Sequence, residues 1–154
     1  MDKQNVLRVY LESLDKKIEE VAGNLQSIYS NIDAAPTPSE SHSDTTRSQL
    51  SQVALGISER LSSLKTTRAM TSSSSSSRLI RPTIGALIEV EDNRTKEKVY
   101  YFVVHGVGGE SLLLDGSKVF SVSINAPILN PISKIKIGDT FEFRGRRLTL
   151  TEIS

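Results

Sequence analysis

The sequence predicts an α+β protein: an N-terminal antiparallel helical hairpin followed by a small β-rich domain. Three observations carry this. Two segments have apolar residues at steps of four and three, a stretch with two prolines separates them, and the periodicity changes to two after about residue 84. In the first segment the apolar positions are Leu7, Leu11, Leu14, Ile18, Val21, Leu25, Ile28 and Ile32. An unbroken heptad of this kind marks a coiled-coil helix, about 40 Å long at about 1.5 Å per residue. Asp15, Lys16, Lys17, Glu19 and Glu20 fill its other faces, and Gly23 weakens the helix by about 1 kcal/mol without interrupting the pattern.

The second segment runs from about Asp44 to Met70, with a seam of Leu50, Ala54, Ile57, Leu61 and Leu64. Asp44, Thr45 or Thr46 can cap its start, because a short side-chain oxygen there satisfies an orphan N–H. Arg60, Lys65 and Arg68 fall on what reads as a solvated face. The connection, Asp33-Ala-Ala-Pro-Thr-Pro-Ser-Glu-Ser-His-Ser-Asp44, is not helical, since Pro36 and Pro38 each remove a donor and clash with the preceding turn. Two helices joined by so short a turn pack antiparallel; a parallel dimeric coiled coil is the competing arrangement. The division expected is a coiled-coil hairpin over 1–70 with an acidic tip at 33–44, a serine-rich linker over 71–80, and a β-rich domain over 81–154. Serine tracts bury nothing and behave as flexible linkers.

In the C-terminal part, 86–91 and 97–104 read as strands joined by the turn Asp92-Asn93-Arg94-Thr95. Gly106 to Gly109 form a bend. Residues 112–114, 119–123, 140–143 and 146–151 continue the strand pattern, Arg144-Gly145 is a tight turn, and 128–133 is a short helical turn after Pro127.

Composition narrows the function classes. The 154 residues carry 19 basic and 18 acidic side chains, a net charge of +1, which argues against nucleic-acid binding driven by bulk charge but not against a local patch. There is no cysteine, so disulfides, thiolate catalysis and Cys-based zinc sites are excluded. Hydrophobic residues make up 37% and aromatics 5%, as expected when helices bury only one stripe. No apolar stretch has the length of a signal peptide or a membrane span, so the expectation is a cytoplasmic protein with no membrane partner, acting as a monomer.

The chemistry-bearing residues sit at the tip and near the last turn. Asp33, Glu40 and Asp44 place three carboxylates at the end of a thin arm, able to deliver oxygen ligands to a metal or cation. Glu40 and Asp44 are four apart with His42 between them. The plain alternative is a solvated loop with an Asp at a helix N-terminus, where acids are favoured anyway. Arg47 lies just past the tip, placed either to contact a phosphate or a carboxylate of a partner or to be an ordinary surface arginine. Arg144, Arg146 and Arg147 form a basic cluster suited to nucleic acid or to an acidic protein surface, and equally explained by a domain's need for solubility.

The order of hairpin and small β-rich domain resembles the bacterial Gre family of transcription factors (GreA and GreB), and the C-terminal half carries the closer match. Ile84-Gly-Ala-Leu-Ile-Glu-Val-Glu-Asp92 is similar to that family's opening strand, Phe120-Ser-Val-Ser-Ile-Asn-Ala-Pro-Ile128 to its strand ending in a Ser-Pro turn, and Lys134-Ile-Lys-Ile-Gly-Asp139 to its Gly-Lys-x-x-Gly-Asp segment. The resemblance implies an FKBP-like C-terminal domain and bacterial RNA polymerase as partner. Docking would be through Ser123, Asn125, Ala126 and Pro127, with the hairpin entering the secondary channel and in contact range of RNA or DNA in the elongation complex. It also implies tip carboxylates, here Glu40 and Asp44, that help hold a Mg²⁺ ion shared with the polymerase while the polymerase cleaves backtracked RNA. The factor would be a ligand donor with no stably bound cofactor, not an enzyme.

The chain departs from the family in three places. It lacks the tip string Gly-Asp-x-x-Glu-Asn, Ala126 stands where Ser precedes Pro127, and Ser133 stands where Gly precedes the lysine. The divergent tip keeps a second mechanism open, in which the hairpin occupies the channel without cleavage and modulates initiation, pausing or nucleotide entry. A third reading is a coiled-coil adaptor, or an FKBP-like protein, unrelated to the polymerase. Peptidyl-prolyl isomerase activity is disfavoured, because there is no Trp and the few aromatics are needed for packing.

Overall fold

The computed structural model describes residues 1–35, 45–73, 81–106 and 108–154. Two long helices, α1 (Lys3–Ala34) and α2 (Thr46–Ser72), precede six strands: β1 (Leu87–Asp92), β2 (Lys98–Val104), β3 (Ser111–Leu114), β4 (Ser117–Ser123), β5 (Thr140–Phe143) and β6 (Arg146–Ile153). A one-turn helix, α3 (Leu129–Ile132), lies between β4 and β5. The fold is α+β, a helical hairpin followed by a mixed sheet. The chain divides into two compact units, Glu12–Arg68 and Met1–Leu11 with Ala69–Ser154. The start of α1 and the end of α2 thus group with the sheet.

Within Glu12–Arg68 the helices run antiparallel. Arg68, near the end of α2, forms a two-pronged ion pair with Asp15, early in α1: its Nε donates to Oδ1 and its second guanidinium nitrogen to Oδ2 at 3.0 Å. Arg68 keeps much of its side chain in solvent but has a specific partner there, its planar fork matching the carboxylate. The pairing, hydrogen bond first, holds the Asp15 carboxyl below the usual range and raises the Arg68 guanidinium. The seam read from the sequence is the covered stripe here. Leu14, Val21 and Ala54 are buried, and Ile18, Leu25, Ile28, Leu50, Ile57, Leu61 and Leu64 are half-buried. Thr45 stands at the start of α2, where its carbonyl accepts the Gln49 N–H at 3.0 Å and its hydroxyl the Gln49 side-chain amide at 3.3 Å.

The first turns of α1 bury a different stripe. Val6 and Tyr10 are fully covered whereas Leu7 and Leu11 are half-exposed. The Tyr10 ring meets Phe102 of β2 edge-on, centroids 5.5 Å apart. The heptad predicts the seam that faces another helix; in its first turns α1 packs on a sheet, and the buried face moves by one residue, about 100°. Burial, reinforced by Glu110, pushes the Tyr10 phenol well above its ordinary value. Asp2 caps this helix, accepting the Gln4 N–H at 3.0 Å. At the other end α2 runs through Ser72 with Thr71 fully buried, so the first residues of the expected 71–80 linker are helical; 74–80 lie outside the described residues.

The six strands form one sheet in the order β3-β4-β2-β1-β6-β5, antiparallel throughout except for β2 with β4. Both faces of its centre are covered, so β1 (LIEVED) is buried at five of six positions instead of alternating. One face packs Ala86, Ile88, Val90, Val103, Phe141, Leu148, Leu150 and Ile153 under α3, which contributes Leu129 and Ile132. The other carries Phe102 beneath Tyr10. The hairpin turns Asp115-Gly116 and Arg144-Gly145 both have positive φ at both residues (50° and 75°; 50° and 74°), the backbone whose twist matches paired strands.

Candidate docking groove and arginine cleft

Two concave sites of the sheet-bearing unit share a wall. The first is an open groove of about 690 Å³ over one end of β2, β4 and β5. The end of β4 and the turn into α3 shape one side. Ser123 O accepts the Ala126 N–H at 2.8 Å, Ser123 Oγ accepts the Asn125 N–H at 3.3 Å, and Ala126 O accepts the Leu129 N–H at 2.9 Å. These bonds close a tight turn directly into α3, with Pro127 one residue before its N-cap, Ile128. Ser123, Ala126 and Pro127 line the groove, while the exposed Asn125 side chain is not among the lining groups.

The floor and far side are aromatic. Tyr101 and Phe120 lie with ring centroids 6.2 Å apart, and the Arg144 guanidinium sits over the Phe143 ring, 5.4 Å from its centroid. Arg144 and Arg146 complete the lining. Burial raises the Tyr101 phenol, and the positive charges of Arg146 and Arg144 work in the opposite direction. Gly108 is the close approach that shapes this end: a Cβ there would stand 2.7 Å from Ser121 O, Ser123 N and Val122 Cα. Only a residue without a side chain lets this segment lie against β4.

The second site is a cleft of about 620 Å³ lined by the β1–β2 turn (Asp92, Asn93, Arg94, Thr95, Glu97) and the β5–β6 turn (Arg144 to Arg147). Strand order makes β1 and β6 neighbours and so sets these turns side by side. Asn93 N donates to Arg147 O at 3.0 Å, and Thr149 Oγ1 donates to Asn93 Oδ1 at 2.6 Å. Asp92 is buried and turned into its own turn, where Oδ1 accepts the N–H groups of Arg94 and Thr95 at 2.9 and 3.3 Å. Those backbone bonds, with lesser help from Arg146 and Arg94, hold its carboxyl low.

A third polar site is structural. Glu89, on β1, is buried yet accepts from Lys98 Nζ at 2.8 Å and from Thr151 Oγ1 at 2.9 Å. A register shift between Glu89 and Val90 puts one extra residue on β6, and Thr151 is that residue; the bulge aims its hydroxyl at Glu89. Burial works to raise the Glu89 carboxyl, but bonds from Lys98, Thr151 and Tyr100 prevail and hold it low.

Of the residues the sequence singles out, Ser123, Ala126 and Pro127 are brought to one wall. Arg47 belongs to the Glu12–Arg68 unit, half-buried in the first turn of α2, with its carbonyl accepting Ser51 Oγ at 2.8 Å. Glu40, His42 and Asp44 lie outside the described residues; the remaining tip acid, Asp33, is exposed in the last turn of α1. Among the described residues no group of three or more His, Asp or Glu side chains is gathered as for a metal ion, and no helix is long and apolar enough to cross a membrane. Sequence reasoning missed Tyr101 and Phe143 as groove walls and Arg94 as a member of the arginine cluster. Arg94 is 50 positions from Arg144, and only the strand order joins them.

No family model and no curated protein matches the chain. Among solved structures, GreA factor homolog 1 (Gfh1) of Thermus thermophilus is similar over 94% of each chain at 20% identity and a TM-score of 0.37. A structure of the transcription factor Gfh1 is similar at 18% identity over 93% of this chain and 92% of that one, TM-score 0.37. Gfh1 of Thermus aquaticus is similar at 17% identity over 97% of this chain and 92% of that one, TM-score 0.34.

Proposed function

We propose that this chain is a Gre-like transcription regulator that binds bacterial RNA polymerase through the wall formed by Ser123, Ala126 and Pro127, its helical hairpin serving as the arm that enters the secondary channel. The observation that carries the reading is the convergence of these three residues, drawn from the motif that resembles the family's docking turn, on one side of an open, aromatic-floored groove. Apolar walls with a few polar groups and arginines at the margin are what a protein-docking site requires. The antiparallel hairpin supports the same reading, because a two-helix arm is thin enough to occupy a channel.

In this reading the chain is not itself an enzyme. It occupies the channel and alters what the polymerase does there; any Mg²⁺ is shared with the polymerase, with Glu40 and Asp44 as the carboxylates on offer. The test uses purified, backtracked bacterial elongation complexes with Mg²⁺ and compares the chain with its Glu40→Ala/Asp44→Ala variant. Cleavage that the variant loses makes it a transcript-cleavage factor with a divergent tip. Binding without cleavage, accompanied by altered nucleotide addition, makes it a channel-occupying regulator. Absence of both binding and cleavage overturns the polymerase reading.

A further inference from the structure

We infer that the cleft between the β1–β2 and β5–β6 turns is a binding site for the phosphodiester backbone of single-stranded nucleic acid. The inference stands on the cleft and the wall it shares with the groove, and does not rest on the polymerase reading.

Four arginines line one cleft of about 620 Å³: Arg94 from one turn, and Arg144, Arg146 and Arg147 from the other. All four are exposed, and none forms a salt bridge among the described residues, although other cations of the same sheet do: Lys96 pairs with Glu91 and Lys98 with Glu89. Of the two carboxylates in the lining, Asp92 is buried and occupied by its own turn's N–H groups, which leaves Glu97 as the exposed acid. The cleft thus offers a surplus of positive charge to a ligand. Its cations are all arginine, the planar fork that grips phosphate oxygens two at a time.

Arg144 adds an independent observation. It holds φ 50° at the first position of a two-residue hairpin turn, a conformation that Asn or Gly takes readily and a long side chain disfavours. The turn geometry calls for a different residue, so the guanidinium is kept at a cost to the backbone. What the position gains is a cation over the Phe143 ring, on the wall that the cleft shares with the aromatic-floored groove. The groove that shares Arg144 and Arg146 with the cleft carries Tyr101 and the exposed Phe120, and cations beside such rings suit a single strand, whose phosphates pair with the cations and whose bases stack. An acidic peptide would use the cations and leave the rings idle.

The test measures anisotropy of a labelled single-stranded oligonucleotide of about 20 nucleotides, titrated with the full chain over a salt series. Each phosphate contacted contributes about −0.7 to the slope of log affinity against log salt. The Arg146→Gln/Arg147→Gln variant is expected to weaken binding at least tenfold and to make the slope shallower by about 1.4. Arg144→Asn is expected to weaken binding while raising the melting temperature, a combination that a merely structural arginine would not give. Lys134→Gln/Lys136→Gln, on the same unit but outside the cleft, is expected to leave the slope unchanged.

Three outcomes overturn the inference: no binding at about 50 mM salt, an unchanged slope in the double arginine variant, or an equal loss in the lysine control. Tighter arginine-dependent binding of an oligoglutamate peptide of equal charge also overturns it, and assigns the cleft to an acidic protein segment.

Discussion

Glu89 shows how single residues set the chemistry of this sheet. A carboxylate at 8% exposure is costly unless its charge and lone pairs are met, and here Lys98, Thr151 and Tyr100 meet them. Glu89→Gln keeps the shape and removes the charge. It is expected to lower stability by about 1–3 kcal/mol, read from urea unfolding, with the sheet's circular dichroism unchanged.

The sign of the pH dependence follows from the same group. Glu89, Asp92 and Asp15 all titrate lower in the folded chain than ordinary carboxylates do. Their contribution is fully present above the unfolded values, near about pH 4, and is lost as pH falls through the folded ones. The melting temperature is expected to drop as the buffer is taken from neutral toward about pH 3, and the drop is expected to be smaller in Glu89→Gln. Gly108→Ala is the residue-scale test of the groove. With backbone atoms 2.7 Å from the added Cβ, β4 must shift, at a cost of about 1–3 kcal/mol. Polymerase binding is expected to weaken with it.

At the scale of elements, α1 serves two packing partners with one sequence. From Leu14 onward its heptad seam is the covered stripe; before that, Val6 and Tyr10 replace Leu7 and Leu11 as the buried pair. Tyr10→Ala removes a fully covered ring and its edge contact with Phe102, and is expected to cost about 3–5 kcal/mol. Leu7→Ala, at a half-exposed position, is expected to cost clearly less. A sequence-only reading of the seam predicts the reverse order, so the pair of thermal melts separates the two. Gly23 and Gly56 are exposed within helices with nothing within 4 Å of an added Cβ, so Gly23→Ala/Gly56→Ala is expected to stabilise the hairpin by about 1–2 kcal/mol.

Element boundaries were legible wherever local chemistry decides them. The strands over 140–143 and from 146, the Arg144-Gly145 turn and the short helix after Pro127 all follow from period-two runs and turn residues. The inward shift at Val6 and Tyr10 was not legible, because hydrophobic spacing cannot say whether a helix meets another helix or a sheet.

For the whole molecule, the order of hairpin then β-rich part was legible from the change of period, whereas the parallel pairing of β2 with β4 was not. The groove was half legible. Ser123, Ala126 and Pro127 are named only through the family resemblance, whereas Tyr101 and Phe143 reach the groove, and Arg94 the cleft, only through the order β4-β2-β1-β6-β5, which pairs residues far apart in the chain. Strand order depends on long-range packing and leaves little trace in local periodicity.

The central claim is polymerase binding through the groove wall, and the most direct test is co-elution of the full chain with bacterial RNA polymerase core enzyme on size exclusion, alongside a Pro127→Asp variant that places a charge on that exposed wall. The unaltered chain is expected to form a stoichiometric complex that the variant loses, with the variant's melting temperature little changed. Failure of the unaltered chain to co-elute, or an equally stable complex formed by Pro127→Asp, would contradict it.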